Sequence, residues 1–159
     1  DPTTLEQLLR TNVLSVMLSC REAARALSTK SGGAGGVIVN VSSMAATIGG
    51  RPGNSHYAAS KAAVDSFSVG FAKEVAGEGI RVISVRPGFT ITDMTHHRLD
   101  DAQFRQVISE TIPLGRPARA EEVAAPIAWL LSSEASFITG TCLDVSGGGF
   151  AIADAPRQR

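Results

Sequence analysis

The sequence predicts an α/β fold in which helices alternate with strands of a parallel sheet. Three runs of strand length lie at 37–42, 80–85 and 141–145. The first is almost continuously apolar, as expected for a strand that is covered on both faces. Segments with apolar residues spaced by threes and fours precede and separate these runs, which is typical of helices packed on a sheet. This alternation favours right-handed crossovers between parallel strands.

The first helix is predicted to begin at a capping box, Thr4 to Gln7, and to run to about residue 29. Its apolar stripe comprises Leu5, Leu8, Leu9, Val13, Val16, Met17, Cys20, Ala23, Ala24 and Leu27. A glycine-rich stretch, 31–36, precedes a strand, whereas a phosphate-binding loop would follow one, so it is interpreted as a flexible connection.

The later helices are bounded by glycine and proline. Loop residues with Gly49, Gly50 and Gly53 lead into a helix predicted at 55–76, which ends at further glycines. An irregular helical segment is predicted at 93–111 and another helix at 120–132. Pro126 lies inside the last helix and should kink it or shift its start.

Composition excludes several classes of function. The 159 residues suffice for one domain, and 15 basic residues balance 15 acidic ones, so no charge field recruits nucleic acid or an anionic membrane. No apolar run is long enough to span a bilayer, and no signal peptide is recognisable. Cys20 and Cys142 lack metal-ligand spacing and are expected to be small buried residues of a protein in a reducing compartment. We therefore expect a soluble, cytoplasmic protein without a metal.

Tyr57 and Lys61 are the residues that most directly suggest chemistry. Residues four apart lie on one face of a helix, so the Lys61 ammonium can lie near the Tyr57 phenol. A neighbouring cation favours an ionised phenol and suits it to proton transfer. A tyrosine and a lysine at this spacing also occur by chance on surface helices, so the surroundings decide the interpretation.

Those surroundings converge on one edge of the predicted sheet. Ligands of open α/β sheets bind beyond the carboxyl ends of the strands. Ser43 follows the first strand, the segment 87–92 follows the second, and Tyr57 lies in the first turns of the connecting helix. Asn12 lies inside the apolar stripe of the first helix, where a buried amide must be hydrogen-bonded and either braces the backbone or holds a water.

Five segments, in the order of the family, resemble the compact single-domain branch of the short-chain dehydrogenase/reductase family. They are Thr11 to Val13, Val37 to Ser43, Tyr57 to Lys61, Arg86 to Phe89 with Thr92, and Ile138 to Gly148 with Asp144. The resemblance implies a Rossmann-like, doubly wound parallel sheet, of which residues 1–150 would form the carboxyl-terminal, catalytic half and 151–159 a tail. It implies an NAD- or NADP-dependent oxidoreductase that interconverts a secondary alcohol and a ketone.

The resemblance also implies the role of each matching residue. Tyr57 would be the general acid/base, and Lys61 would favour its ionised form and bind the nicotinamide ribose. Ser43 would hold the substrate oxygen, with Ser42 as the alternative. Ser43 stands 14 residues before Tyr57, one more than is usual, which fits a one-residue insertion in the loop. Asn12 would hold a water of a proton relay. The nicotinamide site would be lined by Pro87, Gly88, Thr90 and Thr92, although the family usually has isoleucine or valine in place of Thr90.

The family's amino-terminal elements have no counterpart in this sequence. In the family, a strand, a glycine-rich turn and a helix bind the cofactor's pyrophosphate, and a nearby residue selects NAD or NADP. We therefore expect a fragment whose first strand has an exposed edge. We also expect the isolated chain to bind the cofactor too weakly for turnover.

Other functions stay open from the sequence. Ser43, His56 and an aspartate could form a hydrolase triad, although no Gly-x-Ser-x-Gly elbow is present. His96 and His97 could contact a substrate. The chain could instead be a non-catalytic, dimerising module. In the family the two long helices form the subunit interface, so a homodimer or homotetramer is expected, with small outer residues at Ala23, Ala24, Ala62, Ala63, Ser66 and Gly70.

Overall fold

Three parallel strands form the sheet in the computed structural model, which describes residues 1–93, 95–96 and 100–149. The strands are β1 (Gly36–Val41), β2 (Ile80–Pro87) and β3 (Thr141–Val145), in the spatial order β1-β2-β3. Val39 of β1 is in register with Ile83 of β2, and Ile83 with Thr141 of β3. The predicted α/β class and the three strands are confirmed.

Six α-helices accompany the sheet among the described residues. They are α1 (Pro2–Leu9), α2 (Ser15–Leu27), α3 (Ala45–Ile48), α4 (Ser55–Val75), α5 (Ala102–Thr111) and α6 (Ala120–Leu131). A π-helical turn, Arg10–Leu14, joins α1 to α2 without a break in the helix. Short 3-10 turns follow α2, α4 and α6 at Thr29–Ser31, Ala76–Glu78 and Ser133–Ala135.

The sheet is covered on both faces because β2 is apolar on both. On one face, Ile80 and Val82 pack with Ala24 of α2 and Ala72 of α4. On the other, Ile83 and Val85 pack with Leu130 of α6. The residues Val82, Ile83 and Val85 are fully buried. Alternate residues of one strand thus build two separate cores, which is the three-layer arrangement expected for a parallel sheet.

The predicted exposed edge of β1 is confirmed. Within the described part of the chain, β1 pairs with β2 and with no other strand. Its last residue, Val41, is 49% exposed.

Several local predictions are wrong. The first helix begins at Pro2, with Asp1 as its N-cap, because proline fits the first helical position, so the predicted capping box lies inside the helix. The short helix α3 occupies part of a predicted loop. The glycine-rich stretch is a compact turn rather than a loose connection, because the Gly35 amide donates to the Leu27 carbonyl (2.8 Å) and the Gly36 amide to the Gly79 carbonyl (3.0 Å).

The segment after β2 only partly follows its prediction. The Thr95 and His96 amides donate to the Thr92 carbonyl, and regular helix begins at Ala102. Pro126 does not shift the start of α6, which begins at Ala120 as predicted and continues through the proline. The predictions for His97 and for the tail at 151–159 lie outside the described residues, as does the predicted boundary at residue 150.

Both cysteines are free thiols. Cys20 is buried as predicted and donates its S–H to Asn40 Oδ1 at 3.3 Å. Its burial raises the pKa of the thiol. Cys142 is only half-buried. Among the described residues, no helix has the length and apolar character that a bilayer crossing requires.

Candidate functional site

A cleft of about 220 Å³ opens at the carboxyl ends of β1 and β2. The loop after β1, the start of α4, the loop after β2 and one side of α5 form its walls. Three of the predicted site residues, Ser43, Tyr57 and Gly88, line it. Most of the remaining lining is apolar and includes Met44, Ala45, Ile48, Phe89, Ile108 and Ile112. A concave, mostly apolar cleft with a few polar groups at one end is the usual form of a small-molecule site.

Tyr57 and Lys61 lie one helical turn apart on α4, as predicted. The Lys61 Nζ is 5.9 Å from the centre of the Tyr57 ring. Lys61 donates a hydrogen bond to the Val41 carbonyl at the end of β1 (3.1 Å), which anchors the ammonium at the edge of the sheet. The half-buried Tyr57 faces the cleft, and Lys61 lies behind it.

The environment of Lys61 is partly desolvated. Burial is the larger influence and lowers the pKa of its ammonium, while the carboxylate of Asp65, one turn further along α4, opposes that shift. Lys61 is thus a partly desolvated cation one helical turn from the ring of Tyr57.

Ser43 and Ser42 have different surroundings. Ser43 lines the cleft, and its Oγ accepts a hydrogen bond from the Ala45 amide (3.1 Å), which leaves its proton for a ligand. Ser42 is 4% exposed and donates to the Lys61 carbonyl (2.9 Å), so it ties β1 to α4. The geometry thus favours Ser43 over the alternative as the residue that meets a substrate.

Asn12 lies in the π-helical turn, opposite α4. Its Nδ2 donates to Ser60 Oγ (3.1 Å), and Ser60 in turn donates to the Tyr57 carbonyl (2.7 Å). The two side chains form a polar chain from the first helical segment to the backbone of Tyr57. The predicted requirement for a hydrogen-bonded amide at Asn12 is confirmed, and its Oδ1 remains available to accept from water.

Gly88 lies where the loops after β2 and β3 approach each other. Its amide donates to the Val145 carbonyl at 2.9 Å. A Cβ at this position would come within 2.9 Å of Ser146 Cα, so a larger residue would push the two loops apart. The neighbouring Pro87 carbonyl accepts from the Met44 amide (3.0 Å). These contacts hold the floor of the cleft.

Thr90 and Thr92 lie beside the cleft rather than in its lining. The Thr90 hydroxyl donates to the Gly88 carbonyl (3.2 Å). The Thr90 carbonyl accepts from the Thr95 hydroxyl at 2.7 Å. The backbone N–H of Thr90 has no hydrogen-bond acceptor within 1–93, 95–96 and 100–149. Thr92 is exposed, and its carbonyl accepts from the amides of Thr95 and His96, which starts the turn there.

His56 and His96 are not among the residues that line the cleft. His56 is exposed in the first turn of α4. The exposed His96 has its Nδ1 3.0 Å from the Asp93 carbonyl. His97 is outside the described residues. No cluster of metal-ligating side chains occurs in the part of the chain that the structure describes.

Four polar residues in the described lining of the cleft were not singled out from the sequence: Arg51, Asn54, Thr111 and Ser146. Arg51 and Asn54 lie in the loop before α4 and line the cleft with Tyr57. Their position six and three residues before the tyrosine placed them near the site. Gly49, Gly50 and Gly53 all have positive φ, and the path of the chain through them decides which side of the loop faces the cleft. The sequence does not specify that path.

A family model described as enoyl-(acyl carrier protein) reductase matches residues 1–149, nearly the whole chain. The chain belongs to the short-chain dehydrogenase/reductase family. It is 46% identical over 144 residues to YgfF of Escherichia coli K12, described as an uncharacterized oxidoreductase. It is 40% identical over 145 residues to the 3-oxoacyl-(acyl-carrier-protein) reductase FabG of Salmonella typhimurium. Each match covers 91% of this chain.

Solved structures of short-chain dehydrogenase/reductase proteins share the fold. A 4-hydroxyisoleucine dehydrogenase mutant in complex with NADH and succinate superposes with a TM-score of 0.88 at 26% identity, covering 94% of this chain and 60% of that one. A gluconate 5-dehydrogenase from Burkholderia cenocepacia with NADP and tartrate gives 0.85 at 28% identity, covering 93% and 56%. The neighbours support the Rossmann-like assignment of the sheet.

This member of the family spans a little over half the length of the curated relatives it matches. The match covers 58% of YgfF and 57% of the Salmonella FabG.

Proposed function

We propose that the protein catalyses the NAD- or NADP-dependent interconversion of a secondary alcohol and a ketone, with Tyr57 as the general acid/base. The observation that carries the proposal is the cleft itself. The hydroxyl-bearing residues Ser43 and Tyr57 line it together, and Lys61 is held one helical turn behind the phenol. A hydrogen-bond donor, a proton carrier and a cation then act on one substrate oxygen.

The residues present fit a nicotinamide cofactor. The Thr90 N–H has no acceptor in the described part of the chain and suits a carboxamide oxygen. Pro87 and Gly88 would form the floor against the ring, Thr92 would add a hydroxyl, and Tyr57 and Lys61 would bind the ribose. Family membership and neighbours solved with NADH and NADP support this assignment. A bound nicotinamide would supply or accept the hydride.

The chain's own residues would move the proton. In the direction of reduction, Ser43 would donate a hydrogen bond to the carbonyl oxygen of the substrate, and Tyr57 would deliver its proton to that oxygen. The Lys61 ammonium stabilises the phenolate that remains. Asn12 would hold a water through its Oδ1 and restore the proton by way of Lys61, since its Nδ2 is fixed by Ser60. The reverse order of steps would oxidise an alcohol.

The names of the relatives support this class of substrate. Two of the solved neighbours are dehydrogenases named for hydroxylated compounds, 4-hydroxyisoleucine and gluconate. The curated FabG relative is a reductase of 3-oxoacyl groups. All three names describe chemistry at a carbon that carries an alcohol or a ketone oxygen.

We also propose a homodimer or homotetramer as the assembled form. Four leucines, Leu5, Leu9, Leu14 and Leu18, are 41 to 45% exposed on the first helical segment and are here called the leucine row. Of the small residues predicted on the outside, Ala24 is instead buried in the core. A Cβ at Gly70 would have no described atom outside its own helix within 4 Å, so a second copy would be able to pack closely against this position. A non-catalytic dimerising module is the second candidate, and the leucine row is the observation that favours it.

The reducing compartment inferred from the sequence leads us to propose a cytoplasmic location. The two cysteines are unpaired, which suits such a compartment.

Substitution of Tyr57 by phenylalanine tests the proposed activity. In the complete product of the gene that encodes this chain, Tyr57→Phe is expected to lower kcat for ketone reduction by about 10²- to 10⁴-fold, because the proton carrier is lost. The measurement is the oxidation of NADH or NADPH with a panel of ketones, with circular dichroism to confirm folding. The 159-residue chain alone is expected to show no turnover.

The matched control is His56→Phe, which alters the exposed neighbour of Tyr57 and should leave kcat unchanged. Undiminished activity of Tyr57→Phe would contradict the proposal. Ester hydrolysis abolished by His56→Phe would instead support the hydrolase triad. Self-association without cofactor-dependent turnover in the complete gene product would support the non-catalytic module.

A further inference from the structure

Arg51 is the one charged residue in the described lining of the cleft. The other lining residues are apolar or neutral, with Asn54 close to Arg51 at the mouth. No carboxylate of residues 1–93, 95–96 and 100–149 forms an ion pair with the Arg51 guanidinium. Arginines that do form ion pairs, such as Arg86 and Arg116, lie outside the cleft lining. Arg51 is therefore a cation at a ligand site with no counter-charge from that part of the chain.

The guanidinium of Arg51 is supported by the wall that α5 provides. Its Cζ lies 5.8 Å from the centre of the Phe104 ring. Phe104 packs edge-on against Phe89, itself a lining residue, with ring centres 5.3 Å apart. Stacking on an aromatic face restrains an arginine while leaving its N–H groups free to donate at its edges.

The loop that carries Arg51 is also constrained. Gly50 has a φ of +81°, and a Cβ there would lie 2.9 Å from the Asn54 carbonyl oxygen. Only glycine fits that conformation and that approach without strain. The Asn54 amide donates to the Arg51 carbonyl at 2.9 Å, which closes the loop on the first turn of α4. Arg51 thus lies on a closed turn directly before α4, the helix that carries Tyr57, and both residues line one cleft.

We propose that Arg51 determines the substrate class: a ketone or secondary alcohol that carries a carboxylate beyond an apolar spacer. The reacting oxygen would lie at Ser43 and Tyr57, the spacer along apolar residues such as Ile108, and the carboxylate at Arg51. A single guanidinium fork matches the two oxygens of one carboxylate, whereas a phosphate dianion would leave charge and acceptors unmatched beside neutral neighbours. The inference rests on the proposed function for the position of the reacting oxygen.

The test compares charged and uncharged ketones of equal length. The probes are 4-oxopentanoate, 5-oxohexanoate and 7-oxooctanoate, each with its primary amide, and dihydroxyacetone phosphate as the phosphate. Binding to the complete gene product is measured by titration calorimetry, with and without NADH or NADPH, and turnover is measured separately. At least one keto acid is expected to bind about tenfold more tightly than its amide, as a charge-assisted hydrogen bond would give.

Substitutions assign that preference to Arg51. Arg51→Gln should remove the preference for the acid and leave the affinity for the amide unchanged, while Arg51→Lys should retain part of it. The control Arg25→Gln removes the same charge from the exposed face of α2 and should have no effect. Equal affinity for acid and amide, equal loss for both in Arg51→Gln, no binding of any keto acid, or a stronger Arg51-dependent preference for the phosphate would each overturn the inference.

The two proposals fail in different ways. If the keto acid and its amide were reduced equally well, and independently of Arg51, the proposed oxidoreductase activity would be supported and the proposed carboxylate site would be contradicted. Arg51-dependent binding of a keto acid without turnover under any condition would support the carboxylate site and contradict the oxidoreductase.

Discussion

Two serines on the buried face of α4 accept hydrogen bonds from side-chain amides elsewhere in the chain, the half-buried Asn12 and the buried Asn40. Ser60 accepts from Asn12 Nδ2 at 3.1 Å and donates to the Tyr57 carbonyl at 2.7 Å. Ser68 accepts from Asn40 Nδ2 at 2.9 Å and donates to the Val64 carbonyl at 2.7 Å. Both serines are fully buried, so the same geometry occurs once beside the site and once in the core.

The repeated geometry permits a matched pair of substitutions. Ser60→Ala and Ser68→Ala should each lower the free energy of unfolding by about 1–3 kcal/mol, because each leaves a half-buried or buried amide N–H without its acceptor. Only Ser60→Ala should also lower kcat, by about ten- to a hundredfold with KM unchanged, because Asn12 and the backbone of Tyr57 lose their link. Urea denaturation and steady-state kinetics measure the two effects. Equal kcat values for the two variants would show that Ser60 is merely structural.

The contrast between Asn12 and Ser60 shows what the sequence could predict at this scale. An amide inside an apolar stripe signals a buried polar group, and that signal identified Asn12. Its partner lies 48 residues away and is an ordinary serine on a helix rich in small residues. Which serine faces inward depends on how α4 rotates against β2. That packing is a tertiary property, so Ser60 carried no local signal.

The start of α6 is held by one carboxylate. Glu122 accepts from both terminal nitrogens of Arg116, at 2.8 and 2.7 Å, and from the Arg119 amide at 2.9 Å. The Arg116 hydrogen bonds, followed by that amide, lower the pKa of Glu122 to about 2. The first turn of α6 and the loop before it therefore depend on an ionised Glu122.

Glu122→Gln should lower the melting temperature at neutral pH. Because the folded-state pKa is about 2 and the ordinary value is 4.5, the stabilisation is complete above 4.5 and is lost as the pH falls towards 2. The difference in melting temperature between wild type and Glu122→Gln should shrink as the pH falls from 4.5 towards 2. It should also shrink in high salt, because the ion pair between Arg116 and Glu122 is exposed. Differential scanning calorimetry from pH 7 to pH 3 measures it.

Glu121→Gln provides the control for this prediction. It removes the same charge from the same helical turn. Its effect on the melting temperature therefore measures the general contribution of a negative charge at the helix start. A pH-independent difference between wild type and Glu122→Gln would contradict the ion-pair explanation.

Strands were predicted more closely than helix ends. The run 141–145 coincides with β3. The almost continuously apolar run 37–42 differs from β1 (Gly36–Val41) by one residue at each end. The predicted start of α1 was wrong because two patterns that can begin a helix lie close together. The helix begins at Asp1-Pro2, and the capping-box pattern from Thr4 to Gln7 lies inside it. The short helix α3 was missed because four residues give no periodicity.

The shape of the first helical segment connects the site to the whole molecule. Leu5 and Leu9 are four residues apart, and so are Leu14 and Leu18, while the two pairs are separated by five. The π-helical turn, Arg10–Leu14, lies in that gap and absorbs the extra residue, so the leucine row stays on one side. The same turn carries Asn12 on the opposite side, towards Ser60 of α4.

A second copy of the chain is the expected partner of the leucine row. In a two-fold dimer each leucine occurs twice in the interface, and full burial of one leucine side chain stabilises the dimer by about 1.5–3 kcal/mol. Leu14→Ser with Leu18→Ser should therefore raise the dissociation constant at least a hundredfold, while the fold of each copy is retained because both side chains are already 41 to 45% exposed. Sedimentation velocity at several concentrations measures the change in the dissociation constant.

Leu131→Ser is the control. It alters a similarly exposed leucine (51%) at the end of α6 and should leave the assembly intact. Dissociation caused by Leu131→Ser alone would locate the interface on α6 instead.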